Sequence, residues 1–516
     1  MNVRKIATLL LIAMFACATL IAQQFHTEKS EVFDEPVSGW NEVQLLKNGN
    51  TFLYHAGDKD GINITVYDKN RKIVSQKNIT SKLWDISDVA SEFVFEINGA
   101  PALFLSLNGR EERTLVRLRL NPSTGEVINE EVIATASTLG KVKLTFVPFD
   151  VIKDPASDCY AVISKNLRKG RNNEDLMVSH FDGSHNKISE ASYKAPLEKF
   201  EFYFYSSAFV DGNKHVYLVL SGFAERPRYN TSDLKANGDC KAIVAKLNTG
   251  EKTFTNTVLD INVDFGQELT TQMLALKNGN YLQLLIKAVT ETKKKMNGSL
   301  EIKYYTSLIA YLAPESLQIL GVAPIGGAKV NEYGQAHIGD KYEFTGVPES
   351  MVINKDNTTS VLMEKGESMQ GKSYLKDIGV SVFSDSGAEI AGYAIRKSQQ
   401  ETRGVDNDQF MSYDYISTPR GNYVLFNDKI SNIGKEEDNS RRHRTLSASF
   451  TNSVAYKLDN NKIEQFFFFG EPDGNTSTFS YTSGTSYNDA LNTYATLIIE
   501  REGKQKHARL AWVTFD

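Results

Sequence analysis

An all-β repeat chain closed into a β-propeller is the fold class this sequence predicts, and three observations predict it. Short runs rich in Val, Ile, Leu, Tyr, Phe and Thr recur along the chain, separated by Gly, Asn, Asp and Ser, which is the pattern of strands and turns. Two kinds of tight turn alternate in a fixed order. The repeat they mark is long enough to hold about four strands, as a propeller blade requires.

The first turn reads Leu45-Leu46-Lys47-Asn48-Gly49-Asn50-Thr51-Phe52 and returns as Leu274-Ala275-Leu276-Lys277-Asn278-Gly279-Asn280-Tyr281. Looser copies lie at 210–213, 354–357 and 419–422. Asn-Gly supplies the positive φ angles of tight hairpins. The second turn reads Val66-Tyr67-Asp68-Lys69-Asn70-Arg71-Lys72-Ile73, with six later copies beginning at Leu120, Phe181, Leu247, Leu312, Phe383 and Leu458. Their spacing, roughly 54 to 75 residues, lies in the range of large propeller blades or solenoid units. An open β-solenoid is the rival architecture, although its repeats are usually shorter.

We name the four strands A to D. The first repeat is expected at Val43–Leu46, Thr51–His55, Ile62–Tyr67 and Ile73–Ile79. An eighth unit at the C-terminus offers Tyr494–Glu500 and Ala508–Phe515 as its B and C strands, and the sequence then ends without a D strand. The segment Phe25–Phe33, ahead of the first repeat, is spare. Pairing it with the last unit would remove an exposed sheet edge. The prediction is therefore eight blades closed by an N-terminal strand, with seven as the alternative count. The run Phe466-Phe467-Phe468-Phe469 suits a strand buried on both faces.

Ahead of that strand stands a leader. Arg4 and Lys5 precede an uncharged, almost wholly apolar run from Ile6 to Ile21, and Ala22 precedes Gln23 and Gln24. These are the parts of a secretory signal peptide, with cleavage expected after Ala22. An uncleaved anchor and a lipid-anchored Cys17 are the other readings. The expected organisation is a signal peptide, 1–22, and one propeller domain, 23–516. Without residues 1–22 the balance is 56 basic to 63 acidic side chains, net −7. That mild acidity, with no basic stripe, argues against nucleic acid as a partner. No later segment approaches the length of a membrane span. Cys159 and Cys240 remain; two buried thiols are favoured over a disulfide, whose pairing cannot be read from sequence.

No motif points to catalysis, a cofactor or a metal. Gly366-Glu367-Ser368-Met369-Gln370-Gly371 is one residue too long for a nucleophile elbow and is expected in a hairpin loop. Asp58-Lys59-Asp60-Gly61 and Glu471-Pro472-Asp473-Gly474-Asn475 are turns that lack the alternating ligands of a calcium loop. His55, His180 and His215 are isolated on strands. Two catalytic carboxylates remain possible, since they can come from different blades, but 63 acidic residues offer no basis for choosing a pair.

The antiparallel order points to a candidate working face, mostly over the fourth to eighth blades. The A–B and C–D turns lie on one face of the ring and are tight. The B–C and D–A connections lie on the other and hold the insertions, at about 222–240, 288–302, 366–377 and 428–450, and at about 326–341, 396–409 and 470–486. Long loops over a rigid scaffold are where binding tends to reside. Arg226, Arg228 and Tyr229, and the cluster Arg441-Arg442-His443-Arg444, are the candidate binding residues on that face; a plain solvated loop is the alternative for each.

The segment Asp60-Gly61-Ile62-Asn63-Ile64-Thr65-Val66-Tyr67-Asp68-Lys69-Asn70-Arg71-Lys72, followed by Thr80-Ser81-Lys82-Leu83-Trp84-Asp85, resembles an uncharacterised family of secreted β-repeat proteins from Gram-negative bacteria. The resemblance implies export to the periplasm, cell surface or medium, and brings no activity. The functional expectation is a non-enzymatic scaffold that binds a protein, peptide or glycan on the B–C/D–A face. Its alternative is a carbohydrate-active enzyme with carboxylates in the central channel.

Overall fold

The computed structural model describes residues 25–515 except 37–38, 58–60, 109–111, 138–147, 167–174, 195–199, 201, 225–239, 262–268, 276–280, 295–300, 370–371, 401–409, 434–450, 473–475 and 504. It is an eight-bladed β-propeller of antiparallel sheets. In blade one the strands are Trp40–Leu45, Thr51–Ala56, Ile62–Tyr67 and Ile73–Ile79, paired in chain order. Blades two to seven repeat that order, with A strands at Val89–Ile97, Phe149–Lys153, Phe202–Asp211, Leu269–Ala275, Val347–Ile353 and Asp414–Thr418.

Blade eight closes the ring as expected. Its A, B and C strands are Thr476–Ser480, Thr493–Glu502 and Gln505–Phe515, and its D strand is the N-terminal Phe25–Lys29. Phe25 pairs with Phe515, and Lys29 with Ala511.

Eight apolar cores sit between eight sheets, one at each blade interface. Phe52, Tyr54 and Ile64 of blade one meet Leu103, Leu105 and Leu118 of blade two. The last core joins the chain's two ends: Val43, Leu45 and Leu53 of blade one pack on Leu497, Leu510 and Trp512 of blade eight. A strand pressed between two cores is buried on both sides, so the B strand Thr51–Ala56 alternates between two buried faces rather than between core and water. A strands of neighbouring blades touch, which places A at the axis and D at the rim. The rim position explains why Ile73, Val74, Val127, Ile128, Leu320, Val322 and Ile390, all on D strands, are exposed.

Several expected loops take other forms. The 288–302 and 366–377 connections are continuations of the B and C strands, which run on as Leu282–Lys294 with Glu301–Leu312 and as Thr359–Met369 with Lys372–Phe383. Gly366 to Met369, expected in a hairpin loop, are therefore paired strand. The 326–341 connection holds an α-helix, Ala328–His337. It lies on the D strand of blade six, where a Cβ on Gly392 would stand 2.3 Å from the backbone of Lys329 and Val330. The 470–486 connection contains the A strand of blade eight. Only Phe466 and Phe467 of the four phenylalanines lie in a strand, Lys462–Phe467; Phe468 and Phe469 follow it and are buried against blade eight. Cys159 and Cys240 are free and buried. Among the described residues no helix is long and apolar enough to cross a membrane.

Candidate functional site

On the B–C/D–A side, at the inner end of the interface between blades six and seven, lies a cleft of about 290 Å³. Its walls are Glu349, Ser350 and Val352 from the A strand of blade six, Leu362 from its B strand, and Ser412, Tyr413, Asp414 and Tyr415 at the start of blade seven. Two backbone irregularities set this geometry. The ladder of blade six slips between Pro348 and Ser350, a bulge that leaves Glu349 outside the paired register. Bulges of this kind re-aim a side chain. Ser412 holds φ at 70°, a left-handed conformation uncommon for a residue with a Cβ.

Behind the cleft is a buried polar network. Lys397 and Glu364 form an ion pair with side chains 0% and 3% exposed. The Lys397 ammonium also donates to Gln399 Oε1 at 3.1 Å and lies 5.5 Å from the centre of the Tyr413 ring. Gln399 Oε1 accepts from the Ser412 amide at 2.9 Å, and its Nε2 donates to the Asn427 carbonyl at 3.0 Å. The network thus ties the D–A connection of blade six to the cleft wall and to the B strand of blade seven. Burial pulls the Lys397 ammonium down from its usual range, and Glu364, Glu349 and Asp428 oppose that pull.

The cleft's own acids are held toward the neutral form. Burial, then the charge of Glu364, raises Glu349, whose Oε2 accepts from the Tyr413 hydroxyl at 3.4 Å. Burial raises Asp414 to about 6, against the hydroxyls of Tyr494 and Thr485, which donate to its Oδ2 at 2.5 and 3.4 Å. Tyr415 donates to Asn354 Oδ1 at 2.9 Å and is within 2.7 Å of the Ser360 hydroxyl.

A second acidic pair faces the interface of blades one and two. Glu42 and Glu92 stand on the A strands of these blades. Burial, and then Glu92, lifts Glu42 to about 8; burial raises Glu92 as well. Gly484, at φ 69°, brings the backbone of blade eight over this strand; a Cβ there would stand 2.2 Å from the Asn41 carbonyl oxygen and 3.1 Å from Glu42 Oε2. A carboxyl whose pKa is higher folded than unfolded favours the fold at low pH, and that contribution is lost as pH rises through the folded value. The urea midpoint of the protein should therefore fall as pH rises from about 5 to about 8, and Glu42→Gln should flatten this slope. An unchanged slope in the variant would place the titration elsewhere.

Among the described residues no group of three or more His, Cys, Asp and Glu side chains is placed to hold a metal ion. The seven sequence candidates, Arg226, Arg228, Tyr229, Arg441, Arg442, His443 and Arg444, lie outside the described residues. Sequence reasoning passed over Glu42, Glu92, Glu349, Lys397, Tyr413 and Asp414. Their common signal is a charge or tyrosine at the entrance to an apolar A strand, or just after a D strand.

No family model and no curated protein matches this chain. Among solved structures, a protein from Lactobacillus plantarum is 13% identical over 83% of this chain and 95% of its own, with a TM-score of 0.38. The GH93 α-L-arabinofuranosidase of Fusarium graminearum, in complex with arabinobiose, is 11% identical over 60% of this chain and 80% of its own, with a TM-score of 0.34. Trypanosoma rangeli sialidase, in complex with sialic acid, is 11% identical over 82% and 59%, also at 0.34. Likeness of this degree transfers no chemistry.

Proposed function

We propose that the protein is an exported saccharide-binding propeller whose binding element is the cleft between blades six and seven. The observation that carries this reading is the composition of the cleft wall. Carboxyl and hydroxyl groups of Glu349, Ser350, Ser412, Tyr413 and Asp414 sit beside the aliphatic Val352 and Leu362 and the rings of Tyr413 and Tyr415. A sugar ring has an apolar C–H surface and a rim of hydroxyls, and it needs both kinds of partner. Tyrosine offers an apolar body with a polar tip, and carboxyl groups accept from hydroxyls. The volume is at the small end of ligand pockets, and six of the eight lining residues lie in strands.

A thermal-shift panel of oligosaccharides, short peptides and divalent metals tests this. A saccharide at 100 times its dissociation constant should add about 2.7 kcal/mol of stability. A panel in which only peptides shift the midpoint would replace the saccharide with a protein partner.

The Glu42–Glu92 pair favours a second reading, hydrolysis of a glycosidic bond near the axis. Glu42, protonated at neutral pH, would be the acid, and Glu92 the base or nucleophile. Any saccharide that binds should be assayed for newly formed reducing ends. Release that survives Glu42→Gln would remove this pair from the chemistry.

A further inference from the structure

The A strand of blade eight makes an excursion at the axis. Its two paired parts, Thr476–Ser480 and Ser486–Asn488, lie along one B strand, and Tyr481–Thr485 between them stand opposite only Thr496 and Leu497. An ordinary bulge adds a single residue. Here the surplus forms a strap that reaches both neighbouring blades.

On one side the strap holds the cleft wall. Tyr481 is buried, with its ring 4.6 Å from that of Phe410. The Thr482 hydroxyl donates to the Met411 carbonyl, just ahead of Ser412, and the Thr485 hydroxyl donates to Asp414 Oδ2 at 3.4 Å. On the other side the strap holds blade one. The Gly484 carbonyl accepts from the Val43 amide at 2.9 Å, and Ser486 Oγ accepts from the Leu45 amide at 3.0 Å. The fit is tight, since a Cβ on Gly484 would stand 2.2 Å from the Asn41 carbonyl oxygen and 3.1 Å from Glu42 Oε2. Gly484 and Thr485 are consecutive, so one peptide link joins the contact on Asp414 to the contact on Glu42.

The Thr485 bond is the weak hold: hydroxyl-to-oxygen bonds are usually well short of its 3.4 Å. A better donor at Asp414 takes its place. We infer that the strap couples the cleft to Glu42, so that a donor bound at the Asp414 carboxyl releases Thr485, shifts Gly484 and changes the packing around Glu42. Thr485 is then a positioning residue, acting on Glu42 through its neighbour. Coupling of this kind is reciprocal, so a change at Glu42 is felt at Asp414. The inference goes beyond the saccharide reading, because any occupant that donates to Asp414 engages the strap.

Tryptophan emission reads the far end of this path. The chain has three tryptophans. Trp84 and Trp512 are buried, and their Nε1 atoms donate to Glu130 and Thr51. Trp40 is partly exposed and stands two residues before Glu42, on the same side of the strand. Thr485→Val, which removes the hydroxyl and keeps the shape, and Asp414→Asn should each shift the emission maximum and strengthen quenching by acrylamide. Neither change should appear in a Trp40→Phe background. Thr485→Ser, which keeps the hydroxyl, and Glu349→Gln, which alters the cleft away from the strap, should match the wild type. A urea cycle gives a second readout, because sites without a shared partner add. Asp414→Asn and Glu42→Gln should depart from additivity by about threefold in the unfolding constant, and should add once Thr485→Val is present. Unchanged emission in Thr485→Val and Asp414→Asn, with additive unfolding, overturns the inference and leaves the strap as a fastening of the ring. A response to Glu349→Gln as large as that to Asp414→Asn overturns the assignment to Thr485. No saccharide enters these measurements, so the saccharide reading stands or falls separately.

Discussion

Lys397→Met will lower the stability of the protein by about 3–5 kcal/mol, the largest loss expected from any single side chain on the B–C/D–A face. The loss does not measure the worth of the ion pair. Lys397 and Glu364 are 0% and 3% exposed, so removing one partner strands a carboxylate in a site that water cannot reach. Desolvating two charges costs nearly what their attraction returns, so the pair itself contributes little. Lys397→Met/Glu364→Met, which removes both charges and roughly keeps the volume, should therefore recover most of the loss. Urea unfolding of the wild type, both single variants and the double variant forms a complete cycle. If Lys397→Met unfolds at the wild-type midpoint, the pair is not buried as described.

The same network gives the cleft its shape, so the cycle has a second readout. Gln399 bonds Lys397, the Ser412 amide and the Asn427 carbonyl at once, and Ser412 stands in a left-handed conformation. Backbone strain of this kind persists only where the surroundings over-determine it. The double methionine variant is expected to fold yet to hold Tyr413 and Ser412 loosely, because the cation under the ring is gone. Stability regained while saccharide affinity stays low would separate the network's two roles.

The sequence revealed the ring more fully than the site, for physical reasons visible in particular residues. Tight turns are written in local chemistry: Asn48-Gly49-Asn50 needs a positive φ at Gly49, which is 91°, and the chain supplies glycine there. The second turn recurs seven times and the first five, so the C and D strands of blade one were legible to the residue, its B strand to within one and the start of its A strand to within three. Closure was legible because an unpaired strand at one end matched a vacancy at the other. The A strand of blade eight was not. Thr476-Ser477-Thr478-Phe479-Ser480 is polar and is held by long-range partners such as Asn452, whose Oδ1 accepts from the Thr478 amide at 2.7 Å. The helix Ala328–His337 was hidden because it buries few residues, Val330 and Gly334, and begins at Gly327 without a side-chain cap. The cleft depends on a one-residue bulge at Glu349 and on the meeting of the Val347–Ile353 and Thr359–Met369 hairpin with Ser412–Tyr415, some fifty residues on. A glutamate between Pro348 and Ser350 reads, by itself, as an ordinary polar position of an alternating strand.

Phe25→Ala will cost about 3–5 kcal/mol, as for other large core rings, although Phe25 stands at the very start of the described chain. It is 5% exposed and sits among the rings of Phe468, Phe515, Tyr423 and Phe466 at 5.5 to 5.7 Å, in edge-on contacts that draw blades seven and eight together. Hydrogen bonds continue the seam beyond it. The Ser30 amide donates to the Leu510 carbonyl at 2.9 Å, Arg509 donates to the Ser30 carbonyl at 2.6 Å, and Lys29 pairs with Glu500 at 2.8 Å. Removing residues 25–33 takes away every one of these contacts and bares the edge of Gln505–Phe515, a long strand with a buried, apolar C-terminal half. Unpaired edges of this kind recruit other strands. The truncated chain should therefore associate, as light scattering would show, and hydrogen exchange should rise first in blade eight. A synthetic peptide spanning residues 25–36 should suppress both effects by adding the missing strand in trans. A truncated chain that stays monomeric, with blade eight as protected as before, would mean that the ring closes through side-chain packing alone. The N-terminal strand would then be a cover for the edge rather than the fastening of the ring.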